Sequence, residues 1–369
     1  MRNRASYALR TLAVCACLTL CAAAAQASAA ATARDGRDVN SSLPQEQPQE
    51  QSKDKKNEKK NEKKEKPPTV PEPELKAAKA IEAAADVPAM LAAANEFLQK
   101  YPKSPLRPQV APLVADRIGQ IKDPAQRIAQ SEGYLKVFTA TGDAERVNQH
   151  LLSAYTETNR LDDAFALAPA TIDKSYDPLA AMINLTRAGL TEARNQNLKY
   201  VAPSRQLALK AIALIESNRK PEAVPDATWN DYKTRWHGQL YQWLAMLSLA
   251  EGDKADAKTR LTSAVGINPR DPVNYMLLST MANDEYQRLA QAHKAAAAGA
   301  EKDALLKQAE AQMDEVIDAY ARAVALTEGN AQYDAMRTGL KADLESYYKY
   351  RHGNSTDGLQ ALIDKYKQP

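Results

Sequence analysis

The sequence predicts an all-α protein, and three observations carry that expectation. Glycine is scarce, with 13 in 369 residues, and only 3 phenylalanines add to the aromatic and β-branched content that strands favour. Ala, Leu, Lys, Glu, Gln and Arg, which are the good helix formers, dominate. Beyond residue 74, apolar residues recur at three- and four-residue steps between short breaks, and no alternating strand pattern competes.

The first segment is of a different kind. "MRNRASYALR" carries Arg2, Arg4 and Arg10 with no acid, an apolar core "TLAVCACLTLCAAAA" follows, and "AQASA" offers small residues. A basic head, an apolar run too short to span a bilayer comfortably and Ala-x-Ala describe a secretory signal peptide over 1–29, cut after Ala27 or Ala29. Export to the periplasm or cell envelope is the expected localisation. The alternative is a membrane-anchored structural component, held by an uncleaved signal or by a lipid on Cys21, although Leu20 stands where a lipoprotein acceptor takes a small residue. Cys15, Cys17 and Cys21 all lie in this segment, so the processed chain has no thiol, which suits an oxidising compartment. Processing also removes three positive charges and takes the formal net charge from +3 to zero. No case for a nucleic-acid partner remains.

Residues 30–73 predict a disordered, low-complexity linker rich in Lys, Pro and Gln, because too few apolar side chains are present to offset the ordering entropy. Between Lys53 and Lys66 eight lysines face four acids, Asp54, Glu58, Glu62 and Glu65. That excess suits weak contact with an anionic envelope surface. The interleaved acids favour a solvated spacer.

From 74 to 369 the pattern is helical, with about fourteen helices joined by short connections. Breaks fall at Asp86-Val87-Pro88, Tyr101-Pro102, Lys122-Asp123-Pro124, Thr141-Gly142-Asp143, Asn159-Arg160 and Asp177-Pro178. They continue at Lys220-Pro221, Gly252-Asp253, Asn268-Pro269, Gly329-Asn330 and Gly353-Asn354. Asp or Asn before an apolar run is N-cap chemistry, and Pro in the first turn occupies a position whose N–H is unpaired anyway.

One stretch, 238–271, reads as a complete hairpin. Tyr241, Leu244, Ala245 and Ser248 share a face, Gly252 makes the turn, Ala257, Leu261 and Ala264 face back, and Pro269 ends the second helix. Small residues sit where two helices must approach closely, and large ones fill the gaps. This unit resembles a tetratricopeptide repeat, a family with a period near 34 residues. Tyr241 replaces the usual Trp and Ser248 the usual Tyr. A weaker unit resembles the motif through Leu151, Tyr155, Asn159 and Ala164, and others do so through Ala208, Ile212, Ile215 and Pro221, and through Val316, Tyr320 and Ala323. The resemblance implies a right-handed α-solenoid of antiparallel helix pairs that mediates protein–protein interactions without catalysis.

The chain departs from the family over 272–327, where two helices each run about 37 Å. Leu306, Ala309, Met313, Val316, Tyr320, Ala323 and Thr327 form a heptad seam on the second. Leu278, Ala282, Leu289, Ala292 and Ala296 face it, with Glu285 the one charged residue in register, and "AAAAGA" is the turn. Such a hairpin is either a contact surface or a brace for the C-terminal end.

Motifs that carry chemistry do not appear. No phosphate loop, His-Glu-x-x-His, Gly-x-Ser-x-Gly or Cys-x-x-Cys occurs, and His150, His237, His293 and His352 lie far apart. No catalytic residue, metal or cofactor is expected. Trp229, Tyr232, Trp236 and Trp243 form a stripe that suits core packing, or the lining of a ligand groove. The partner expected is a protein or peptide. Because first helices line the groove in this family, the resemblance points to Gln239, Gln242 and Met246 from the best unit and Arg146, Gln149 and Ser153 from the 145–178 unit. That set lacks the Lys, Asn and Arg with which chaperone-tail binders clamp a carboxylate, and implies a neutral or mixed segment held by amide hydrogen bonds.

Overall fold

The computed structural model describes residues 70–140 and 142–367. The expected signal peptide and nearly all of the expected linker lie outside the described residues. Among the described residues the chain is helical, with no strand. They divide into two compact units, 70–114 and 115–367.

The first unit holds α1 (Glu72–Glu82), α2 (Val87–Lys100) and the start of α3 (Arg107–Gly119). Ile81, Ala94 and Phe97 are its most buried apolar side chains on α1 and α2. The first helix begins at Glu72, so Glu72 and Pro73 belong to it and not to the expected linker. A proline-rich run reads as a spacer, yet Pro73 sits in the first turn, where a missing N–H costs nothing, and Glu72 and Glu74 favour the positive helix end.

The second unit continues with α4 (Pro124–Val137), α5 (Ala144–Glu157), α6 (Leu161–Thr171), α7 (Pro178–Arg194) and α8 (Val201–Glu216). α9 (Asp226–Asp231) runs through a π-helical turn, Tyr232–Trp236, into α10 (His237–Ala250). α11 (Lys254–Ile267), α12 (Pro272–Ala295), α13 (Ala300–Thr327), α14 (Asp334–Arg351) and α15 (Leu359–Lys365) complete it. Aspartates set many of the starts. The carboxylates of Asp123, Asp177, Asp253 and Asp271 each accept a backbone N–H from the first turn that follows, at 2.8 to 3.1 Å. A capping side chain of this kind contributes about 1 kcal/mol. Gly252, at φ 82°, makes the left-handed turn between α10 and α11 that most side chains resist.

The hairpin of α10 and α11 packs as its small residues require. Gly238 lies against Ile267 and Asn268, while Ser248 Oγ donates to Asp256 at 2.6 Å, so the two helices run antiparallel. Ala245, Ala257, Leu261 and Ala264 are fully buried between them. In the long hairpin Ala309, Met313, Val316, Tyr320, Ala323 and Thr327 are buried, and Leu306, expected in the same seam, is exposed. Within this unit the main packing of each helix is with helices one to three places away in chain order.

Candidate functional site

The residues expected to line a binding groove are engaged within the protein. Arg146 pairs with Asp116. The Gln149 amide donates to the Lys174 carbonyl at 3.2 Å and accepts from the Tyr176 N–H at 3.3 Å, which ties α5 to the segment entering α7. Ser153 Oγ donates to Glu157, itself paired with Arg127 at 2.6 Å. On α10, Gln239 donates to Gln242 Oε1. Gln242 Nε2 then donates to Asp271 at 2.9 Å and to Asn274 at 2.8 Å. Met246 accepts a long contact from Arg194 Nη2.

Gln242 and Met246 are 4% and 6% exposed, so their side chains are internal staples between helix pairs and not an open surface. The reason is local. Leu240 and every residue from 242 to 248 are buried, because α10 is covered on nearly all sides. In that cluster burial raises the Asp271 carboxyl above the usual carboxylate range, against the opposing hydrogen bonds from Val273 and Gln242.

The neighbouring helix carries a cation of a different kind. Tyr232 donates to Asp177, and Arg194 lies against Met246, so α7 and the 226–250 helix run side by side in one direction. Arg187 falls between these contacts along α7. Its guanidinium is partly buried and its partner is the Asn184 amide oxygen, at 2.8 Å. Among the described residues no acid opposes the burial, which pushes its pKa down.

The tryptophan stripe is mostly core. Trp229, Tyr232 and Trp243 are buried, and Trp236 rests edge-on against Trp243 with ring centroids 5.7 Å apart. Burial and the hydrogen bond to Asp177 raise the Tyr232 hydroxyl pKa. His150 is partly buried against α3, and desolvation lowers its pKa. Among the described residues no group of three or more His, Cys, Asp or Glu could hold a metal ion. Among them also, no helix is long and apolar enough to cross a membrane.

A cleft of about 1120 Å³ lies where α11, α12 and α13 meet. From α12 its floor takes Tyr275, Leu278, Met281 and Ala282, with Glu285 the one charged residue there, and Lys254 and Lys258 of α11 rise on one side. Asp314, Glu315 and Asp318 of α13 stand on the other. Sequence reasoning singled out the long hairpin but not this cleft. The signal was the exposed face of α11, where Ala255, Thr259 and Thr262 offer little bulk beside the two lysines. No protein-family model matches the chain, and no curated protein matches it.

Proposed function

We propose that the chain is an exported, non-catalytic scaffold of tetratricopeptide type, a right-handed α-solenoid that holds a protein or peptide partner in the periplasm or cell envelope. The observation that carries this reading is the range of the packing in 115–367, where helices meet mainly those one to three places away in chain order. Bonds between successive pairs follow the same rule. Arg205 reaches Glu251 and Asp256, Lys210 reaches Asp173, and Lys254 reaches Asp284. Stacked units that touch only their neighbours expose much surface per residue and suit recognition better than enclosure of a reaction. The cleft over α12 supplies a concave face whose floor is apolar except at Glu285.

The test is fractionation of native cells with chemical cross-linking and recovery of the chain. A soluble periplasmic chain with a reproducible stoichiometric partner supports the scaffold. Recovery solely in the membrane fraction, with a lipid on Cys21, favours the anchored structural component. Turnover of a small substrate by the purified chain overturns the non-catalytic assignment.

A further inference from the structure

The cleft over α12 has a length, a floor and two charged edges that together specify an occupant. Resting on the scaffold reading above, we propose that it seats one amphipathic α-helix of a partner protein. That helix is apolar on its buried stripe, acidic on the flank facing α11 and basic on the flank facing α13.

The floor is open where the first turns of α12 are closed. Residues 272–277 are buried, whereas Leu278, Met281 and Ala282 are only partly so. The α11 wall contributes positions 254, 255, 258, 259 and 262, one helical stripe about 12 Å long. On the α13 wall the lining runs from Ala311 to Arg322, about 17 Å. Ala255 and Ala311 at the edges leave room for a backbone to approach at the roughly 8–10 Å typical of packed helices.

An extended segment would lay unpaired N–H and C=O groups over the apolar floor, each desolvated without a partner. A helix satisfies those groups internally and presents side chains at the i, i+3, i+4 and i+7 spacing that such a trough accepts.

The charged edges divide into engaged and open groups. Lys254 is paired with Asp284 at 2.8 Å, Asp314 with Arg351 at 2.9 Å, and Asp318 with Arg322 at 2.9 Å. The Lys258 ammonium has no ion pair or hydrogen bond among the described residues, and it stands exposed on the α11 side, within electrostatic reach of Glu285, an acid of the lining already paired with Arg288 at 2.6 Å. Across the cleft Glu315 accepts, among the described residues, only the Gln312 amide, at 3.0 Å. An acid on one flank of the guest and a base on the other therefore complement the two open charges.

The probe is a synthetic helical peptide with a leucine stripe, glutamates along one flank and lysines along the other. It is compared with versions carrying glutamate or lysine on both flanks. The full chain should prefer the mixed peptide, and Met281→Glu should weaken its binding at least about tenfold. Lys258→Glu, on an exposed position that leaves the fold intact, should move the preference to the all-lysine peptide by about fivefold. Equal binding of the three peptides, or an unchanged preference in Lys258→Glu, overturns the proposal.

In the native envelope, a photo-cross-linking residue at Ala255 is compared with one at Gln149 on α5. Cross-links to another protein at Ala255 that fade in Lys258→Glu support the cleft. Cross-links at Gln149 alone overturn it and leave the scaffold standing, while a homotypic adduct at Ala255 replaces the partner helix with a second copy. Silence at both positions removes the scaffold reading itself.

Discussion

The imidazole of His150 occupies the space that a side chain on Gly119 would need. A Cβ built on Gly119 would lie 2.6 Å from His150 Nε2, so α3 and α5 approach as they do because position 119 carries no side chain. Gly119→Ala should destabilise the protein by about 1–3 kcal/mol through overpacking, despite the better helix propensity of alanine. In a His150→Ala background much of that loss should disappear, which denaturant titration of the double-mutant cycle reads directly. Additive effects would mean that the ring moves aside without cost.

The same histidine gives stability a pH dependence. His150 Nε2 is buried without a hydrogen-bond partner, and desolvation first, with Arg127 and Arg146 behind it, lowers the pKa against the pull of Asp116. A lowered folded pKa means that the unfolded chain binds the proton more readily. Stability from this group is therefore present above the unfolded value of 6.5 and is lost as pH falls through the lowered folded pKa. Thermal melts below pH 6.5 should show His150→Gln losing less stability than wild type over that window. Parallel curves would assign the acid loss to other groups.

Gln242 joins α10 to the start of α12, so substitutions there report on folding before they report on binding. Gln242→Met leaves Asn274 Oδ1 without its donor and should cost about 1–3 kcal/mol. Gln242→Glu places a carboxylate beside Asp271, where Gln242 now donates at 2.9 Å, and should cost more. Circular dichroism melts rank the two, and a Gln242→Glu protein as stable as wild type would refute the staple.

Arg187 invites the opposite outcome. A partly buried guanidinium that faces no acid among the described residues, and gains among them only the Asn184 amide, loses hydration, so Arg187→Met should leave stability unchanged or raise it by about 1 kcal/mol. Chemical denaturation checks the sign. A clear loss would show that the arginine stem contributes packing that outweighs the desolvation.

Processing is read by intact mass. On the proposed export, the processed chain should begin at Ser28 or Ala30, whereas a diacylglycerol-modified Cys21 start would promote the anchored alternative.

Helix positions were legible where one residue type sets a boundary. Asp123, Asp177 and Asp253 cap helices at breaks the sequence marks, and Gly252 makes the turn expected of it. The π turn at Tyr232–Trp236 was not legible, because an aromatic stripe at mixed spacing fits a regular helix equally well. The groove residues were placed by equivalence to a repeat, which assigns Gln242 a face but not its neighbours. Apolar residues on every side of "LYQWLAMLSLA" were the available warning that this helix is enclosed. The cleft escaped because its lining comes from three helices at once, which no single helix pattern displays.

Packing that stays among near neighbours along 115–367 bears on how the chain comes apart. Folding needs no closure of very long loops, so ordering can start in any well-formed hairpin and spread. Loss of order can likewise begin at one end and halt at a strong junction, such as the Arg205 contacts to Glu251 and Asp256. A protease meeting this unit would then release a ladder of fragments with boundaries at hairpin turns, and hydrogen exchange would fall in steps along the sequence.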